Sequence, residues 1–267
     1  MNFKYQHIES QLRGYDGVII EEDACKNYLA GAVKGNLTDL EQRESLLEAL
    51  ESLKTDTGFD SEGLLVDIQA LENPEVDVPE WRIGEAMAEA FLEQDMQCRF
   101  HWNELRDARN PKGNKTGADL VGFIEMDGQV LFLFGEVKTS SETANRPPQV
   151  MTNSTGIESQ LKDLYNDRAK RLILISYLQS KAVLYPAGHA FKEDFKQALN
   201  IYFNAAGDAP YKLIGILVRD VEPDENDVSE SYHKLKALIP APLALRLMAL
   251  YMPIAKEKWL DIVTEKQ

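Results

Sequence analysis

The chain has 267 residues, 44% hydrophobic and 27% charged, the balance of an ordinary soluble protein with one large core or a core plus a small accessory domain. Its formal net charge is −15, but residues 1–95 carry 7 Lys/Arg against 22 Asp/Glu, while residues 96–267 carry 22 of each. Tight autonomous binding of nucleic acid needs a basic footprint, so that class is disfavoured, and the acidic third serves either solubility or a basic partner.

No apolar run reaches the roughly 20 residues of a membrane span. Met1-Asn2-Phe3-Lys4 lacks the charged-then-apolar layout of a signal peptide. The two cysteines, Cys25 and Cys98, stand in no CxxC or Cys/His cluster, which argues against structural zinc and a disulfide framework. A cytoplasmic protein without a membrane contact is the expectation.

Residues 1–80 are expected to form an acidic, mostly helical region with a partner-docking or regulatory role. Asn36-Leu37-Thr38-Asp39 leads into a helical pattern with Leu46, Leu47 and Leu50. The acidic stretch from Asn73-Pro74 to Pro79-Glu80 marks a connector. Residues 81–267 form the second unit. A helix over 82–95 places Ile83, Met87, Ala90 and Phe91 on one stripe and Glu85, Glu89 and Glu93 on another. A row of acids at that spacing is by default a solvated face. A short strand is expected at 97–102. The polar loop 103–116 is the most basic window in the chain. Its Arg106, Arg109, Lys112 and Lys115 are either a surface loop or contacts to a phosphate backbone.

Residues 118–138 predict a β-hairpin turning at Asp127-Gly128. With those two as the loop, paired residue numbers sum to 255, which sets Asp119 opposite Glu136. Alternation puts Glu136 and Lys138 on one face and Val137 on the other. Opposed carboxylates repel across a hairpin, a neighbouring lysine relieves part of that, and a bound cation relieves more. After a proline-containing loop at 145–155, a long helix starts near Gly156 and carries Gln160, Leu161, Leu164 and Tyr165, then Arg168, Lys170 and Arg171. A helix at 189–203, a strand at 211–219 and a helix after Pro223-Asp224 follow. Residues 241–253 fit strand or helix equally. The order from Arg82 gives an α/β core with a mixed sheet.

Phosphodiester hydrolysis requires polarisation of the phosphate and activation of a water, and magnesium does both with one or two carboxylates as protein ligands. Asp119 and Glu136, with the Val137 carbonyl, are the candidate ligands for Mg2+, with Mn2+ as a substitute. Lys138 is a candidate point charge toward the phosphate. Glu85 is a candidate fourth member if its helix reaches the sheet edge, and Gln160 a candidate to orient a phosphate or water. The bland reading of Asp119, Glu136 and Lys138 is a structural ion-pair cluster.

Asp119 followed by Glu136-Val137-Lys138 resembles the signature of the PD-(D/E)XK nuclease superfamily, with Ala118 where the family name has proline. The resemblance covers about half the chain and implies a restriction-endonuclease-like core of α-β-β-β-α-β order. It also implies an acid on the preceding helix and a glutamine/tyrosine helix afterwards. Gln160 and Tyr165 fit that helix with a spacing one residue longer than usual. More narrowly, Trp81-Arg82-Ile83-Gly84-Glu85, the Gly135-Glu136-Val137-Lys138-Thr139-Ser140 string and Leu217-Val218-Arg219-Asp220 with Glu222-Pro223 are similar to the HamA family. HamA proteins are nuclease subunits of the Hachiman antiphage defence system, which implies DNA as substrate and a helicase partner resembling HamB. A noncatalytic DNA-binding or regulatory subunit on the same fold and a restriction-type endonuclease are the alternatives.

Overall fold

The computed structural model describes residues 2–10, 13–57, 62–74, 78–107, 117–204 and 211–265. The chain opens with two strands, β1 (Asn2–Ser10) and β2 (Arg13–Ile19). Helix α1 (Glu22–Tyr28) follows, then a π-helical turn at Leu29–Val33 and α2 (Lys34–Leu37). Helices α3 (Leu40–Thr57) and α4 (Glu62–Glu72) come next. Helix α5 (Glu80–Asp95) leads to β3 (Cys98–Arg99), β4 (Leu120–Met126) and β5 (Gln129–Thr139). Four helices then run in succession: α6 (Gln149–Thr152), α7 (Ile157–Asn166), α8 (Arg168–Ala182) and α9 (Ala190–Asn204). The chain ends with β6 (Tyr211–Arg219), α10 (Ser229–Leu238), β7 (Ala244–Tyr251) and α11 (Trp259–Thr264).

The seven strands of the described residues join one mixed sheet in the order β1-β2-β7-β6-β5-β4-β3. Strands β5, β6, β7 and β2 are mutually parallel, and antiparallel partners close both ends. The parallel strands β6 and β7 are buried at every position, as expected of strands covered on both faces. That burial explains why 241–253 showed no decisive periodicity: a strand with two buried faces loses its polar alternation.

Two apolar clusters lie on the two faces. One gathers Phe132, Phe134, Leu213, Leu217 and Leu247 beneath Ile157, Leu161 and Leu164 of α7, with Leu174 of α8 and Phe191 of α9. The other gathers Leu131, Leu133, Val137, Ile214 and Ile216 against Ile83, Met87 and Phe91 of α5. No helix among the described residues is long and apolar enough to cross a membrane.

The expectation of a mostly helical N-terminus is corrected at β1 and β2, which pair antiparallel, with β2 lying parallel to β7. Its side chains are largely polar on the exposed edge strand, so no amphipathic signal reached the sequence. The apolar cluster under α5 also includes Val18, Cys25, Leu29, Val33 and Leu37, so side chains from both sides of residue 80 share one core. The strand expected at 97–102 is reduced to two residues, and the long helix after Gly156 breaks at Asp167. There the Asp167 carboxylate accepts the Lys170 amide at 3.0 Å and caps α8.

Candidate active site

The hairpin β4–β5 turns at Asp127 and Gly128, both at positive φ, as a two-residue primed turn requires. Its ladder keeps the expected sum from Met126 opposite Gln129 to Leu120 opposite Gly135. One residue beyond, the Asp119 amide donates to the Gly135 carbonyl at 3.1 Å. The regular ladder therefore ends at Leu120, and Asp119 turns its side chain along β5 instead of pairing formally with Glu136. Its Oδ2 accepts the Val137 amide at 3.0 Å and lies 3.6 Å from Lys138 Nζ.

The two carboxyl groups nonetheless meet. Glu136 is 5% exposed. Burial, the Asp119 charge and a side-chain hydrogen bond with Asp119 raise its carboxyl to about 7, against the pull of Lys138. Lys138 Nζ donates to Glu136 Oε1. Burial alone would lower the Lys138 ammonium. Its bond to Glu136, with the negative charge of Asp119, Glu136 and Glu85, outweighs that and raises it.

Local sequence explains how a buried strand presents charges here. Glu136 and Lys138 continue the face of Phe132 and Phe134, whereas Val137 sits in the opposite cluster. On β6, Gly215 pairs with Glu136. A Cβ there would stand 2.5 Å from Ile157 Cγ2 and 3.2 Å from Leu161 Cδ1. The bare position lets α7 lie directly on the sheet beside Glu136.

Glu85 comes from the other face. A Cβ on its neighbour Gly84 would meet Thr139 Oγ1 at 2.2 Å, so α5 touches the end of β5 one residue past Lys138. Glu85 is buried and accepts from Arg82 at 3.3 Å, and its charge reaches Lys138 around the strand end. The expectation of a solvated acidic face fails for buried Glu85, and Glu89 is half-buried and held by Arg82. Glu93 is exposed along its stem, but burial of its carboxyl, which accepts the Phe100 amide at 3.4 Å, raises it to about 7.

Gln160 is half-buried on the first turn of α7, where its Oε1 accepts Lys170 Nζ at 3.2 Å. The Lys170 stem in turn lies over Gly117, two residues before Asp119, at 3.2 Å from where a Cβ would be. Gln160 thus joins the site through Lys170, a residue the sequence marked only as basic.

Arg106 is placed elsewhere. Its guanidinium is clamped by Asp39 at 2.6 Å, bonds Glu41 at 2.7 Å and lies 5.4 Å from the Trp102 ring. The bond from Asp39 holds it above its ordinary value. It ties the 103–107 segment to the N-terminal helices, and the expected phosphate contact is not the interaction built there. Arg109, Lys112 and Lys115 lie outside the described residues.

A second polar group supports the strand end. Fully buried Arg219 donates to Ser140 O at 3.1 Å and Glu142 O at 2.6 Å and pairs with buried Asp227 at 3.3 Å. Asp227 also accepts Tyr251 Oη at 2.9 Å and Arg146 at 3.2 Å. The chain leaving Lys138 is fixed by this network. An arginine ending an apolar strand was the signal available for it.

Asp119 and Glu136 form a donor set of oxygens only, with one proton held up by burial and by their mutual charge. That fits a hard divalent cation, which would take the place of the proton. Among the described residues no three His, Cys, Asp or Glu side chains gather as a metal cage, and a cation that keeps several waters does not need one. The Val137 amide already faces Asp119, and an extended residue directs its carbonyl to the same edge. No protein-family model matches the chain, and no curated protein matches it.

Proposed function

We propose that the chain is a metal-dependent nuclease of the PD-(D/E)XK type that hydrolyses phosphodiester bonds in DNA. The observation that carries this reading is the buried contact of Asp119 with Glu136, salt-bridged by Lys138, at the end of two adjacent strands. The order α5-β3-β4-β5-α7-β6 supports it as well.

In this reading Asp119, Glu136 and the Val137 carbonyl would hold Mg2+, or Mn2+ in its place. When bound, that ion polarises the phosphate and acidifies a water. A cation on Glu136 would neutralise the carboxylate that now holds Lys138, so the ammonium would be able to turn to the phosphate oxygens, where negative charge builds. Glu85 keeps Lys138 protonated from the far side, and Gln160 orients the incoming strand. The acidic N-terminal region docks a basic partner, and the HamA resemblance makes that partner a defence-system helicase.

The test is incubation of the purified chain with linear, circular and single-stranded DNA, with Mg2+ or EDTA, alone and with a helicase encoded beside it. EDTA-sensitive cleavage that is lost in Glu136→Ala and Lys138→Ala, with fold retained, is the expected result. No cleavage in any arm sinks the enzyme and leaves the ion-pair cluster as structure.

A further inference from the structure

The cations at the site and on the helix beside it are not equivalent. Lys138 is already occupied by Glu136, with Asp119 nearby. Arg171 is consumed by the Leu164 and Tyr165 carbonyls and stacks 4.9 Å from the Tyr211 ring. Lys170 differs from both. Its ammonium has the neutral Gln160 amide as hydrogen-bond partner at 3.2 Å, and among the described residues no carboxylate lies within ion-pair distance of it. A half-buried lysine held by a neutral acceptor keeps its whole charge available to an anion.

Its position is built from three sides. The Asp167 cap fixes the first turn of α8, through the Lys170 amide itself at 3.0 Å. Gln160 holds the ammonium from α7. Gly117, at φ +96°, leaves the space over which the aliphatic stem runs. Any side chain at 117 would meet that stem at 3.2 Å and would have to adopt a left-handed backbone as well. The glycine, the glutamine and the cap together aim one unneutralised cation at the approach to Asp119.

We infer that Lys170 binds a backbone phosphate of the nucleic acid and sets the strand against Asp119 and Glu136, with Gln160 as the residue that positions its ammonium. The inference rests on the nuclease reading and adds to it the group that supplies ground-state affinity, a role Lys138 cannot fill while it is paired with carboxylates. A lysine serves here as a point charge without base preference, so the contact carries no sequence information.

The experiment measures binding of a short fluorescent duplex by the full chain across a salt series, with Ca2+ replacing Mg2+ to hold cleavage off, and then steady-state cleavage with Mg2+. One phosphate contact contributes about −0.9 to the slope of log K against log salt, so its loss weakens binding about eightfold at 0.1 M salt and flattens the slope by about 0.9. Lys170→Ala is expected to show both, with KM raised by a similar factor and kcat changed far less. Lys170→Arg is expected to restore the slope. Lys170→Gln, which keeps a polar stem, replaces the alanine variant if that one does not fold, and is expected to show the same loss. An unchanged slope and KM in a folded, cleaving Lys170 variant overturns the inference and leaves the nuclease reading standing. DNA binding by the wild type without cleavage overturns the nuclease reading while the slope still tests Lys170. No binding by the wild type, alone or with the helicase encoded beside it, overturns both.

Discussion

Replacing Glu136 by Gln should flatten the pH dependence of stability, and the sign follows from the raised carboxyl. Unfolded, Glu136 ionises near its ordinary 4.5; folded, burial and Asp119 bring it to about 7. The folded state therefore binds the proton more tightly. The stabilisation is fully present below pH 4.5 and is lost as pH rises through about 7. At 1.36 kcal/mol per pH unit, the gap between those two values is worth about 3 kcal/mol, and at 5% exposure little of it is screened by solvent. Denaturant unfolding of wild type and Glu136→Gln at intervals from acid to about pH 8 reads it directly. The wild type should lose about 3 kcal/mol relative to the variant across the window. Parallel curves would mean that Glu136 ionises normally, and the picture of a carboxyl pair sharing a proton would be wrong.

Divalent cations should reverse that loss. At about ten times its dissociation constant a ligand adds about 1.4 kcal/mol, so Mg2+ should raise the denaturant midpoint of the wild type above pH 7 and leave Asp119→Asn unmoved. Lys138→Ala should cost roughly a hundredfold or more in cleavage rate, as removal of a preorganised group facing developing charge does. Lys138→Ala that cleaved at the wild-type rate would refute its placement against the phosphate. Gly215→Ala should destabilise by about 1–3 kcal/mol through overpacking against Ile157 and Leu247, and a neutral result in denaturant unfolding would show that α7 has slack over the sheet. Arg219→Met should cost about 1–3 kcal/mol by leaving the Ser140 and Glu142 carbonyls without their donor and Asp227 with Arg146 and Tyr251 alone, measured the same way.

Much of the site was legible because it is local. A two-residue turn fixes hairpin register, and register fixes which side chains face each other, so the sum of 255 carried Glu136 and Asp119 to within one residue of their observed relation. The slip at Asp119 was not legible, since it depends on the Val137 amide capturing the carboxylate in preference to a ladder bond. The burial of Glu85 was hidden for a different reason. Sequence spacing places it on a stripe with Glu89 and Glu93, but only the approach of α5 at Gly84 decides which end of that stripe is covered. Arg106 misled because charge in a loop says nothing about its partner, and Asp39 lies 67 residues away. The N-terminal hairpin escaped because its edge strand is exposed nearly throughout, which erases the alternation that marks a half-buried strand.

The placement of Glu85 and Arg219 bears on why the carboxyl pair stays in contact despite its repulsion. Asp119 and Glu136 could separate by a small shift of either strand end. Three contacts oppose that shift: Arg219 ties the chain beyond Lys138 to Ser140 and Glu142, α7 rests on Gly215 beside Glu136, and α5 rests on Thr139. Each lies within a few residues of the charges, and each is made by backbone or by a side chain buried in the core. Burial and repulsion are thus both held by the fold and expressed together as a raised carboxyl, not relaxed by movement. If this is right, loosening any one of the three should lower the Glu136 carboxyl toward its ordinary range. Gly215→Ala, which lifts α7, would then move the pH-dependent loss of stability to lower pH as well as destabilise the protein. A variant that lost stability equally at every pH would show that α7 supports the core without constraining the carboxyl pair.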